Sequence, residues 1–190
     1  MRLSRAAYFG DFFVYPSLAA GIMTVSLWQG GAEGWPIVLT AFASGLALWT
    51  LGEYLLHRFV FHHWPYIKDL HGAHHEDQKA LIGTPIWISL LAIGTIVSPL
   101  WFLVDLPSAA GLTAGVMMGY VWYGATHHGI HHWNAVPGSI MYALKRRHAL
   151  HHHFNDQGNF GVTSGIWDKV FGTDVKVRKQ RGIEISGAAH

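Results

Sequence analysis

Four long apolar runs, at residues 12–28, 35–56, 85–104 and 107–126, set the pattern of this chain. Each approaches the ~20 residues that a helix needs to cross a hydrocarbon core, and none carries a charge in its middle. Each is therefore expected as a membrane-spanning helix. The breaks at 29–34 and 105–106 are short enough only for turns, so the runs pair into two helical hairpins. Residues 57–84, and the stretch from 127 onward, are longer and more polar. Four crossings place both ends of the chain and its middle segment on one side.

Composition supports this reading. Of the 190 residues, 51% are hydrophobic and only 13% charged, against about 25% charged in a typical soluble domain. A soluble bundle of four such helices would need water-facing charge that these runs lack. The length suits one domain, 1–190. All 13 Lys and Arg lie outside the spans and outside both hairpin turns. Arg2 and Arg5 precede the first run, and Arg58, Lys68 and Lys79 occupy the middle segment. Lys145, Arg146, Arg147, Lys169, Lys176, Arg178, Lys179 and Arg181 follow the last run. The positive-inside rule then puts the termini and middle segment in the cytoplasm. No small-x-small cleavage site follows the first run, which is accordingly read as a retained span rather than a signal peptide.

Cysteine is absent and histidine numbers 15. Thiolate zinc sites, iron–sulfur clusters and cysteine nucleophiles are excluded, so imidazole carries whatever metal chemistry exists. Every histidine falls at a cytoplasmic span end or in a cytoplasmic segment, none at the bilayer midplane, which argues against a translocation path. His71, His74 and His75 stand at i, i+3 and i+4, as do His148, His151 and His152, and His127 and His131 stand at i and i+4. On helices, each set is expected to project towards a common ion. His57 and His62 are five apart, about 140° of α-helical rotation, and are expected to straddle the end of the second span, where the chain can bend before Pro65. Ten nitrogens exceed what one four- to six-coordinate ion can use, so two metal ions are expected. His190 is read as a surface residue.

The motifs "HRFVFH" (57–62), "HGAHH" (71–75), "HHGIH" (127–131) and "HALHH" (148–152) resemble, in order, the histidine boxes of the fatty acid hydroxylase and sterol desaturase superfamily. "NFGVTSGIWDKVFGT" (159–173) is most similar to the segment that follows the last box in the fatty acid 2-hydroxylase branch. The resemblance implies an all-α integral membrane protein: four transmembrane helices in two hairpins, under a cytoplasmic helical cap (57–84 and 127–175) that holds a histidine-rich dinuclear metal site. It carries ligand status to His57, His62, His71, His74, His75, His127, His131, His148, His151 and His152. His63, His128, His132 and His153 are left as extras, with His132 a candidate for the surroundings of the ligands. Glu53 and Asp168 are the candidate supporting carboxylates, since neutral imidazoles leave a metal's charge uncompensated.

The implied activity is hydroxylation of carbon 2 of a fatty acyl chain, with O2 as co-substrate and iron as the active metal. Zinc can occupy such a site in purified protein but has no redox chemistry. Arg58, Lys145, Arg146 and Arg147 are candidates to hold the lipid's polar head, with attraction to anionic lipids as the plainer account. Trp64, Trp133 and Trp167 are expected as interface anchors. Gly124 stands where the 2-hydroxylases carry an acidic residue. The chain reaches its first span without a haem-binding domain and has no Gly-rich nucleotide fingerprint. Electrons are therefore expected from a separate donor, cytochrome b5-like or a ferredoxin with its reductase, and no nucleic-acid partner is expected. Small size favours a bacterial inner membrane over the endoplasmic reticulum. Two further readings stay open: hydroxylation or desaturation of a sterol or carotenoid, and a non-catalytic membrane metal-binding protein.

Overall fold

A computed structural model describes residues 2–176; Arg178, Lys179, Arg181 and His190 lie outside them, as does the end of the expected 1–190 domain. The described chain is helical, with no named strand. A single isolated bridge, Arg2 to Ile82, ties the start of the chain to the segment before the third apolar run. The Leu3 N–H donates to the Leu81 carbonyl beside it at 2.8 Å.

Helix α1 (Arg5–Phe9) begins at Ser4, whose side chain accepts from the Ala7 N–H. Helix α2 (Asp11–Leu55) contains the first two expected spans and is broken by Gly31, at φ 61° and ψ −165°. Only glycine tolerates that conformation freely. Tyr15 and Trp49, on either side of the break, meet in one core, so the chain reverses there. A π-helical turn, Leu56–Phe61, follows without interruption. Helix α3 (Ile67–Glu76) lies in the polar middle segment.

The third apolar run forms α4 (Ile86–Val97) and α5 (Leu100–Leu103), separated at Ser98 and Pro99. The Asp105 side chain caps α6 (Leu106–His132) by accepting from the Ser108 N–H at 3.0 Å. Ser139 does the same for α7 (Ile140–His153) through the Tyr142 N–H. A short α8 (Ile166–Val170) ends the described elements.

Three helices among the described residues are long and apolar enough to cross a membrane: Arg5–Gly31, Glu33–Phe61 and Ile86–Leu103. Phe102 (88% exposed) and Trp28 (85%) turn outward from them, as lipid-facing side chains would. The fourth expected crossing coincides with α6, which is 27 residues long but not among those three. Its hydropathy is diluted by the residues that let it pack, since Ala109, Ala110, Gly111, Thr113, Ala114, Gly115 and Gly119 are all buried.

Packing of α6 against α2 sets the architecture. A side chain at Gly111 would overlap the Val38 carbonyl, and one at Gly115 would overlap the Phe42 carbonyl. Backbone therefore meets backbone, the arrangement that small residues permit between membrane helices. Around this seam Tyr15, Ala19, Trp49, Ile93, Val97, Ala114 and Met117 form the core.

Gly115→Ala should consequently lower stability by about 1–3 kcal/mol, the usual cost of overpacking. Gly94→Ala, where an added methyl meets nothing within 4 Å, should raise it slightly through helix propensity. Thermal melting of the two variants in detergent checks this; shifts of the same sign would contradict the seam.

Candidate metal centre

The ten histidines of the four motifs divide into two groups of five. His57, His62, His71, His75 and His151 form one, and His74, His127, His131, His148 and His152 the other. Within each group the ligand atoms lie within 4.8 Å of one another.

Helix phase explains the division and corrects the expectation that each set of three serves one ion. On an α-helix, residue i+4 returns to within about 40° of residue i, whereas i+3 falls about 60° to the other side. His71 and His75 therefore share the first group while His74 turns to the second. In α7, His148 and His152 share the second group while His151 turns to the first. Two helices thus each contribute to both groups. His57 and His62 also share a group, with rings stacked at 5.3 Å. The two do straddle the end of the second span, at Phe61, but share a face without a bend between them. The π-helical turn Leu56–Phe61, with its i→i+5 bonding, brings the fifth residue round to the same face.

The nitrogen atoms converge by their Nε2 positions. In the first group, His57 Nε2 and His75 Nε2 each lie 3.0 Å from His71 Nε2, and His62 Nε2 lies 3.2 Å from both His71 Nε2 and His151 Nε2. In the second, His127 Nε2 lies 3.1 Å from those of His74, His131 and His148, and His152 Nε2 lies 2.9 Å from that of His148. His57 donates its Nδ1–H to the Phe160 carbonyl at 2.6 Å, and His151 donates its own to the Gly158 carbonyl at 2.8 Å. Both Nε2 atoms therefore point lone pairs inward. Burial, reinforced by neighbouring imidazoles, lowers the pKa of His62 and His74 to about 4 and that of His71, His75, His148 and His152 below the usual histidine value. His151, lowered to about 3, is held down by burial against the opposing effect of its Gly158 bond. Neutral imidazoles with converging lone pairs form a donor set that a divalent metal ion fits, and two such sets fit two ions.

Residues 158–175 hold this arrangement from outside. Asp168 is fully buried. Its Oδ1 accepts from the Phe160 N–H and the Thr173 hydroxyl, and its Oδ2 from the Gly161 N–H and the Arg147 guanidinium, all at 2.8–2.9 Å. Glu53, 2% exposed, takes the Val162 N–H, the Thr163 N–H and the Thr163 hydroxyl on Oε1. Neither carboxylate touches an imidazole; both fix the loop whose carbonyl oxygens do. Asn159, at φ 56°, accepts from the Val175 N–H and donates to the Val175 carbonyl.

Sequence reasoning missed Asn159, Thr163 and the part played by Arg147, which also pairs with Asp174 at 2.6 Å. The only signal was the unbroken run 159–173, with an Asn where a positive φ is tolerated.

The remaining candidates lie elsewhere. His132 is exposed and stacks on His128 at 4.2 Å, and His128 meets the Tyr8 hydroxyl at 3.2 Å. His63 and His153 are exposed. Arg58 donates to the Tyr54 hydroxyl and Lys145 to the Trp133 carbonyl, while Arg146 is exposed. Trp64 (64%) and Trp133 (54%) are open to the surroundings, whereas Trp167 donates to Thr50.

A largely apolar cavity of about 240 Å³ adjoins both groups, through His71 on one side and His74 and His127 on the other. It continues along α4 to Ile96, which is itself exposed on the outer surface of an apolar span. The cavity thus runs from the imidazoles towards an apolar outer surface.

Asp168→Ala should weaken metal retention about 10–100-fold, as loss of a support behind a ligand usually does. The loss should be concentrated in the group containing His57 and His151. Metal titration of protein whose helical content is checked by circular dichroism measures this; unchanged affinity would remove Asp168 from the support.

The model of the family "Fatty acid hydroxylase" matches residues 42–173, which include every member of both histidine groups. The Arabidopsis thaliana protein "Dihydroceramide fatty acyl 2-hydroxylase FAH2" is 33% identical over 186 residues, covering 90% of this chain and 75% of that protein. The Homo sapiens "Fatty acid 2-hydroxylase" is 38% identical over 146 residues, 70% of this chain and 38% of its own length. The chain thus spans less than half of the human relative. The solved structure of full-length scs7p, in which only the hydroxylase domain is visible, superposes with a TM-score of 0.78 at 30% identity, over 90% of this chain and 67% of that one. With the histidine geometry and the matched span in agreement, the chain belongs to the fatty acid hydroxylase family.

Proposed function

We propose that this protein hydroxylates carbon 2 of a fatty acyl chain, using O2 and a pair of iron ions held by the two histidine groups. The observation that carries the reading is the junction of those groups with a cavity that leads along α4 to the lipid-facing surface. Relatives named as dihydroceramide fatty acyl and fatty acid 2-hydroxylases support it.

Iron bound there would supply O2 activation for attack on an unactivated C–H bond, which side-chain acids and bases cannot achieve. The protein's own residues do the rest. Ten imidazoles offer lone pairs, and the Phe160 and Gly158 carbonyls fix the rings of His57 and His151. Leu56, Val60, Ile88 and Ile93 wall the cavity with apolar surface, which excludes water and orients the chain. The proposal includes α6 as a fourth crossing, a cytoplasmic metal centre, and a separate electron-donor protein. The charge pattern supports that orientation.

Mass spectrometry of lipids from a host expressing the protein tests the activity. Acyl chains 2-hydroxylated with the intact protein, and not with the His151→Ala, His152→Ala double variant, are expected. Iron-loaded protein that leaves acyl chains unaltered, with a compatible donor supplied, would favour a sterol, a carotenoid or no substrate. Reporter tags at Gly31 and after Thr173 should report opposite sides of the membrane; a shared side would refute the four-crossing topology.

A further inference from the structure

The segment that joins α6 to α7 departs from the polar character of the cap around it. Residues 133–144 read "WNAVPGSIMYAL", twelve in a row without a charge, and three cations follow at once, Lys145, Arg146 and Arg147. The apolar side chains of this tip are not folded inward. Val136 is 74% exposed and Ile140 81%, with Trp133 and Tyr142 open as well. Large apolar side chains clustered on an open surface mark a place that something apolar covers.

The position of the tip says what covers it. On α6, Trp122 and Gly129 are seven residues apart and so share a face to within about 20°. Trp122 turns outward and is exposed. A side chain at Gly129 would overlap the Trp133 ring and meet the Met141 methyl at 3.2 Å. The tip is therefore folded back onto the stripe of α6 that presents Trp122, about two turns beyond it. The imidazoles of His127 and His131 leave α6 on the opposite side, about 140° and 180° round from Trp122.

The tip also satisfies its own polar groups. The Ser139 N–H and hydroxyl both donate to the Val136 carbonyl, at 3.0 and 2.7 Å. The Ser139 oxygen accepts in turn from the Tyr142 N–H at 3.2 Å, and Lys145 donates to the Trp133 carbonyl at 2.9 Å. A turn closed in this way can enter a poorly hydrated layer without stranding its backbone. Of the three cations, Lys145 reaches back over the tip and Arg147 turns inward to Asp168 and Asp174. Arg146 stands exposed, six residues and about 9 Å of helix beyond Ile140. An apolar end followed by a cation at that distance suits a bilayer boundary, with acyl chains below and phosphates above.

We propose that residues 133–144 dip into the interfacial layer of the phospholipid bilayer beside α6, with Arg146 at the level of anionic head groups. This rests on the reading of α6 as a crossing. The seat bears on the metal centre, because α6 carries His127 and His131 and α7 carries His148 and His152. The tip that joins the two helices sets the height of the second histidine group over the membrane.

Because the chain has no cysteine, depth is measurable with single thiols. Trp122→Cys, Val136→Cys, Ile140→Cys and Ala149→Cys each take one nitrobenzoxadiazole label, in the whole chain, metal-loaded, in nanodiscs of phosphatidylcholine and phosphatidylglycerol. Labels at 136 and 140 should lose emission to a nitroxide placed near the lipid head and be shielded from iodide; the label at 149, on the exposed part of α7, should do the reverse. Metal content checks each fold, and 136 and 140 stand in for one another if one variant fails. Labels at the tip that are open to iodide and indifferent to the nitroxide would overturn the proposal. So would shielding from both quenchers, which would put protein rather than lipid over the tip. The label at 122 separates the proposal from the reading beneath it. Escape from nitroxides along the acyl chain would remove α6 as a crossing, whereas quenching at 122 without quenching at 136 and 140 would remove only the seat of the tip. With the label at 140, Arg146→Gln should lower the preference for quenching by nitroxide-bearing phosphatidylglycerol over phosphatidylcholine about fivefold, the usual share of one cation at an anionic surface. An unchanged preference would overturn the head-group contact.

Discussion

Imidazole lone pairs repel one another, and ten of them gathered into two small volumes form donor sets that cations between them would hold together. The histidine groups therefore impose a demand on everything around them: each ring has to be aimed, kept neutral and denied alternative partners. Apolar burial keeps the rings neutral, as the lowered pKa values of His62, His74 and His151 indicate. Aim comes from helix phase for most of the rings. For His57 and His151 it comes also from the Phe160 and Gly158 carbonyl oxygens, which bind one ring nitrogen and thereby commit the other to the centre.

The two groups are not supported equally. The first has backbone acceptors behind two of its rings, backed in turn by Asp168 and Glu53. In the second, the Nδ1 atoms of His74, His148 and His152 are buried without a partner. The ring orientations there depend on packing among the rings themselves, such as the 4.4 Å contact of His148 with His152 and the 4.1 Å stack of His75 on His152. That last contact crosses from one group to the other, so the two sets are mechanically joined as well as adjacent.

Apolar runs and histidine spacing made the helical class, the positions of three candidate spans and the ten converging residues legible in advance, because both depend on simple periodicity. The partition into fives was not legible, since i+3 and i+4 neighbours look equivalent until a second ion lies on the other side of the helix. Nor was the π-helical turn. The five-residue separation of His57 and His62 implied a bend only because α-helical rotation was assumed. Helix α6 reads as a span through its lack of charge, yet it is less apolar than the others, because Gly111 and Gly115 have to admit the Val38 and Phe42 backbone. Glu53 and Asp168 were recognisable as acids near the ligands. Their action through a loop depends on backbone N–H groups that no side-chain pattern reveals.

The order in which the chain is made gives the loop at 158–175 a further meaning. Histidines of the first group are spread from His57 to His151, and the acceptors that orient His57 and His151 arrive only with Gly158 and Phe160. Asp168 and Thr173, which fix that loop, arrive later still. A ribosome moving along the message thus releases the apolar hairpins first and the clasp last. Closure of the first group is thereby deferred until the helices that carry its imidazoles have been made, and a polypeptide halted before residue 158 would hold His57 and His151 without the carbonyls that aim them.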